Sequence, residues 1–120
     1  MADSSVQPFI IEKSDSPVSD VDREKLLVDP GFGNLFTDHM AMIRWTEGQG
    51  WHGARIQKRK PIPMDPASSV LHYAQEIFEG MKAYTTKEGK IVVFRPDRNA
   101  ARMKNSCEQL LMEAYPEDKF

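Results

Sequence analysis

Residues Asp65–Tyr84 read DPASSVLHYAQEIFEGMKAY. Asp65 followed by Pro66 has the form of a helix start. Aspartate can cap, and proline fits the first helical position because its missing N–H would have no partner there. Leu71, Ala74, Ile77 and Phe78 follow at helical spacing, and Gly80 is the natural stop. The reading places one amphipathic helix between Asp65 and Gly80. Beyond it, Met81–Thr86 and Lys90–Phe94 read as a hairpin around Lys87-Glu88-Gly89-Lys90. Ile91, Val92 and Val93 are β-branched and suit a buried strand. Pro96-Asp97 opens a second helix with Ala100, Met103, Cys107, Leu110 and Leu111 along one core-facing stripe. Tyr115–Phe120 has the composition of a helix's first turn without a body, so the sequence is expected to be part of a longer protein.

Upstream of that stretch lies a second β signal. Phe36–Thr46 reads as a strand with apolar residues at Met40, Met42 and Ile43. Gly48-Gln49-Gly50 makes the turn and Trp51–Gln57 returns. Pro61 and Pro63 end this hairpin. Further back, Gly31-Phe32-Gly33 is a turn around one aromatic residue, and Asp22–Val28 allows one or two helical turns with Asp22 as cap. Ser14–Asp22 is a loop rich in Ser, Asp and Pro. Pro8–Lys13 suits a short edge strand, and Met1–Gln7 is expected to fray. The predicted fold class is α+β: a small, mostly antiparallel sheet of hairpins packed against two or more helices.

Composition narrows the function classes. The chain has 120 residues, 40% hydrophobic and 28% charged, as in an ordinary globular domain. A formal net charge of −2 argues against a nucleic-acid binder, and the basic run Lys58-Arg59-Lys60 reads as a solvated edge. Cys107 is the only cysteine, so no internal disulfide or paired-cysteine metal site is available. His39 and His52 have no carboxylate or thiol at ligand-like spacing, and no metal is expected. No apolar run approaches the ~20 residues of a membrane span, and the amino terminus lacks the form of a signal peptide. The expected location is cytoplasmic.

Several residues could carry chemistry. Arg102 follows the Phe94-Arg95-Pro96 strand end, where an arginine fork and helix N-terminal amides can grip phosphate; the alternative is a surface arginine paired with Asp97 or Glu108. Phe32, Phe36, Tyr73 and Phe78 could line an apolar pocket or fill the core, and Phe78 sits at core spacing. His72-Tyr73 could orient or move protons, although a lone histidine is more often structural. Lys82 could form a Schiff base only if its charge were destabilised by burial or neighbouring cations, and nothing local marks it for that.

Taken together, GFGNLFTDHM (Gly31–Met40), DPASSVLHYAQEIFEGMKAY and FRPDRNAARM (Phe94–Met103) resemble the amino-terminal domain of branched-chain amino-acid aminotransferases, pyridoxal phosphate enzymes of fold type IV. The resemblance runs from about Pro30 to the carboxyl end and includes EGQGWHGARI (Glu47–Ile56). It implies a variable segment over residues 1–29 and a small domain over residues 30–120. By resemblance, Arg102 grips the cofactor phosphate, Phe32 and Phe78 wall the pocket for a branched side chain, and Tyr73 reaches into the partner subunit's site in a homodimer. The implied reaction transfers the amino group of leucine, isoleucine or valine to 2-oxoglutarate. The family's covalent lysine lies in a larger second domain, and Lys82 does not match it, so no catalytic residue is expected among these 120 and the isolated chain is expected to be inactive. Two rivals remain: a non-catalytic module binding a phosphate metabolite or partner chain, and a sister enzyme acting on D-amino acids or aminodeoxychorismate.

Overall fold

The computed structural model describes residues 8–120; the expected fraying of Met1–Gln7 falls outside them. The chain divides into two compact units at the Ile62/Pro63 junction.

The first unit is built on a hairpin. β1 (Ile10–Ile11), α1 (Asp20–Leu26), β2 (His39–Thr46) and β3 (Gly50–Lys58) follow in order. β2 and β3 are antiparallel, with Trp45 opposite Trp51 and Met40 opposite Gln57. β1 lies on the other side of β3 and runs parallel to it, Ile10 opposite Arg55. The sheet is therefore mixed rather than purely hairpin-built. A bulge interrupts the β2–β3 ladder between the pairs Met42–Arg55 and Arg44–His52. Ile43 faces two residues, Gly53 and Ala54, and Gly53 adopts φ 64°, the left-handed conformation that glycine takes at low cost. Residues 36–38, read as strand, lie outside it. There the Arg59 guanidinium stacks 4.0 Å from the centre of the Phe36 ring, and the Arg59 N–H donates to the Asp38 carbonyl. Lys58 bonds Asp15 and Ser16.

α1 begins two residues before the expected start. Ser19, not Asp22, is its N-cap: the Ser19 hydroxyl accepts from the Asp22 N–H at 3.1 Å and donates to the Asp22 carboxylate at 2.8 Å. This reciprocal pairing satisfies an orphan amide and favours the earlier start. Ala54 and Gln57 are the buried residues of this unit among those described.

The second unit contains α2 (Ser69–Tyr73), a hairpin of β4 (Ala83–Thr85) and β5 (Ile91–Val93), α3 (Pro96–Gln109) and a 3-10 turn at Glu117–Lys119. The helix expected from Asp65 to Gly80 is only five residues long. Asp65 does cap, but it caps a turn: its carboxylate accepts from the Ala67 N–H at 2.8 Å and its carbonyl from the Ser68 N–H. Ala74 then takes a left-handed conformation and closes the helix. From Gln75 to Gly80 exposure alternates, with Gln75, Ile77 and Glu79 half-buried and Glu76, Phe78 and Gly80 exposed. That is the period of extended chain. Tertiary hydrogen bonds take the place of helical ones: Gln75 Nε2 donates to the Leu110 carbonyl at 3.0 Å, and Asn99 Nδ2 donates to the Gly80 carbonyl at 2.9 Å.

α3 opens at Pro96 as predicted. Ala100 and Cys107 are buried and Met103 is half-buried, but Leu110 and Leu111 lie beyond the helix end and are exposed. Leu111 occupies the left-handed position after the helix (φ 54°), with the Met112 N–H donating back to the Cys107 carbonyl. The apolar stripe is cut short by that cap, and Asn99 and Tyr115 complete the buried set. Ile91–Val93 form a strand but are exposed rather than buried, because the hairpin has only two strands. The final segment contains a single 3-10 turn, and Glu117 in it pairs with Lys104. Among the described residues no helix is long and apolar enough to cross a membrane.

Candidate functional site

The site-forming features of the second unit meet at Glu79. Its side chain is 6% exposed, unusually low for a carboxylate. Four donors surround it. Arg102 Nε donates to Oε2 at 2.7 Å and Arg102 Nη2 donates to Oε1. Asn99 Nδ2 donates to Oε1 at 2.7 Å, and the Gly80 N–H donates to the same oxygen at 3.0 Å. The Arg102 hydrogen bond, helped by Asn99 and the Gly80 amide, holds the Glu79 carboxyl below the usual carboxylate range against the opposing effect of burial. Glu79 in turn pushes the Arg102 guanidinium still further toward its charged form.

Arg102 therefore pairs with neither Asp97 nor Glu108. Asp97 is taken by Arg95 through two bonds of 3.2 and 2.8 Å. α3 brings Asn99 and Arg102 to one side because they are three residues apart. The extended backbone of 75–80 turns Glu79 toward them and leaves Phe78, its neighbour, 90% exposed. Phe78 is thus not a core residue despite its spacing. Tyr73, at the end of α2, is also exposed and makes an edge contact with the His72 ring. Phe32 lies in the first unit, in the Gly31–Asn34 turn, and is 97% exposed. Phe36, stacked on Arg59, is engaged locally. Tyr73, Phe78 and Arg102 share the second unit.

Glu79 and Asn99 were missed by reading the sequence. A helix through residue 79 gives Glu79 no reason to face Arg102, 23 positions away. Their only sequence signal is the adjacency of Glu79 to Gly80. Each histidine is held by a hydrogen bond: His39 Nε2 accepts from the Ser14 N–H at 2.8 Å, 25 positions away, His52 bonds the Thr46 hydroxyl, and His72 Nε2 donates to the Pro66 carbonyl at 2.7 Å. Among the described residues no cluster of three or more metal-ligating side chains occurs. Lys82 is exposed, with its ammonium 6.0 Å from the Tyr84 ring centre.

The chain is similar to a protein of Streptomyces coelicolor described as a probable branched-chain-amino-acid aminotransferase, 49% identical over 110 residues, which is 92% of this chain and 30% of the relative. A Mycobacterium tuberculosis branched-chain-amino-acid aminotransferase is 47% identical over 120 residues, all of this chain and 32% of the relative. A Bacillus subtilis protein, branched-chain-amino-acid transaminase 1, is 44% identical over 106 residues, 82% of this chain and 30% of the relative. No protein-family model matches the chain. Identity at this level, sustained over nearly the whole sequence, makes the chain similar to one part of branched-chain-amino-acid aminotransferases. It spans about a third of the length of these relatives.

Proposed function

We propose that these residues form the phosphate-contact and side-chain-pocket part of a transaminase that moves the amino group of leucine, isoleucine or valine to 2-oxoglutarate. The observation that carries this reading is the 44–49% identity to aminotransferases so named. The arrangement of the chain's own residues supports it. Phe32, Tyr73 and Phe78 are aromatic and exposed, so none of the three is taken up by a packed core. A hydrocarbon side chain has no polar handle, so selection rests on shape and dry surface, worth only ~1–3 kcal/mol per methylene. Aromatic walls therefore suit the three branched amino acids as a group.

The cofactor of this reading is pyridoxal 5′-phosphate, which when bound supplies the electron sink for amino-group transfer. The donor set fits its phosphate in part: Arg102 is cationic and largely exposed, with one edge held by Glu79 and its other N–H groups unengaged among the described residues. In this role Arg102 binds and orients the phosphate, Phe32 and Phe78 exclude water around the substrate's side chain, and Tyr73 acts across a homodimer interface. We place the small domain at residues 30–120, with 1–29 as a variable segment, and the protein in the cytoplasm, consistent with a single, unpaired cysteine. On this reading no residue of the chain is catalytic, and Lys82 is not the covalent lysine.

The test is incubation with pyridoxal 5′-phosphate, borohydride reduction and peptide mapping, alongside a leucine–2-oxoglutarate assay of the natural protein that contains these residues. Turnover by that protein, with no turnover by residues 1–120 alone and no adduct on Lys82, is the expected result. A stoichiometric adduct on Lys82, or turnover by the 120 residues alone, would show that the division of labour is wrong.

A further inference from the structure

A guanidinium presents five N–H donors in a plane. Glu79 takes two of them, on the edge formed by Nε and Nη2. Three remain, both on Nη1 and the outer one on Nη2; the outer Nη2–H and the adjacent Nη1–H form the second edge able to meet an oxyanion with two parallel bonds. The carboxylate and a phosphate therefore need not compete for Arg102. Glu79 itself is fixed: its carboxylate is nearly buried, Asn99 and the Gly80 amide bond the same oxygen, and Asn99 is itself 9% exposed and tied to the Gly80 carbonyl. The Arg102 side chain, by contrast, is 61% exposed, and Glu79 is the group that holds its head.

We infer that Glu79, backed by Asn99, is a positioning residue that presents the free edge of Arg102 to the phosphate of the ligand. The inference rests on the reading of Arg102 as the phosphate contact. Its physical content is preorganisation. A long exposed arginine must give up rotamer freedom to bind an anion, and an arginine already clamped on its other edge has given up most of it before binding. Simple charge reasoning predicts the opposite: removing a carboxylate beside an arginine should strengthen its attraction for phosphate.

The experiment titrates the metabolite-free natural protein that contains these residues with pyridoxal 5′-phosphate and, separately, with pyridoxal, which lacks the phosphate. Glu79→Gln keeps the side chain's shape and removes its charge. It should weaken binding of pyridoxal 5′-phosphate roughly tenfold, the loss of a preordered arginine side chain, and leave pyridoxal binding unchanged. In an Arg102→Gln background the same substitution should have no further effect. Equal losses for both ligands, or an undiminished loss without Arg102, would make Glu79 merely structural and overturn the inference; tighter binding of the phosphate form would overturn it in favour of competition. If Arg102→Gln alone, with Glu79 intact, weakens both ligands equally or neither, the phosphate role of Arg102 fails, and the positioning role falls with it. Should Glu79→Gln not fold, as judged by circular dichroism, Asn99→Ala frees the carboxylate while leaving both charges. A smaller loss confined to the phosphate form is then expected, and no loss would refute the role.

Discussion

Replacing Gly53 by alanine tests how far the hairpin of the first unit depends on its bulge. Gly53 sits at φ 64° where two residues of β3 face Ile43 of β2. An L-residue in that conformation costs ~1–2 kcal/mol relative to the right-handed region. The added Cβ meets no heavy atom within 4 Å, so no clash adds to this cost. Alanine restricts the unfolded chain and returns ~0.4–1 kcal/mol. Taken at the middle of the two ranges, the net expectation is a destabilisation of about 0.8 kcal/mol. With a urea slope near ~1 kcal/mol/M for a unit this small, the midpoint falls by ~0.8 M. Tryptophan fluorescence is the suitable probe, because both tryptophans of the chain, Trp45 and Trp51, face each other in this hairpin. Gly53→Asn should lose less, since asparagine tolerates the left-handed region better than alanine. An alanine variant as stable as the parent, or an asparagine variant worse than alanine, would refute the backbone argument.

Phe78→Ala and Tyr73→Ala remove exposed rings, so their unfolding free energies should stay within ~0.5 kcal/mol of the parent. On the proposed transaminase reading, leucine turnover by the natural protein should nevertheless fall roughly tenfold or more in kcat/KM; a matched loss of stability would instead mark them as core. The Glu79 carboxyl is depressed in the folded state below its ordinary value of 4.5, so its stabilising effect is complete above that value and is lost as pH falls through the depressed one. Thermal melts followed by circular dichroism should show Glu79→Gln less stable than the parent at neutral pH, with the two converging in acid; a constant gap would contradict the ion pair. Cys107 is 2% exposed and burial raises its thiol pKa, so an aromatic disulfide reagent should modify it slowly in native protein and at once in denaturant. Fast modification without denaturant would show that the core of the second unit opens.

Local chemistry made much of the architecture legible. Gly48-Gln49-Gly50 between two alternating runs announced the β2–β3 hairpin, Pro96-Asp97 announced α3, and the quoted motifs announced the resemblance to aminotransferases. These signals lie within a few residues of the feature they specify. The Asp65–Gly80 segment shows where that limit falls. Leu71, Ala74, Ile77 and Phe78 fit a helical period, yet the chain is extended after Tyr73. A five-residue helix contributes little on its own, whereas the bonds from Gln75 to Leu110 and from Asn99 to Gly80 join residues 35 and 19 positions apart. No window of sequence contains both partners. The same distance hid Glu79: the sequence by itself determined that an arginine, three aromatics and a glycine-bounded turn would be present, and which enzymes they resemble. Only the tertiary structure decided that residues 75–80 alternate like a strand, which turns Phe78 outward and Glu79 inward onto Arg102, because side-chain direction follows from backbone period and that period was set by contacts across the unit.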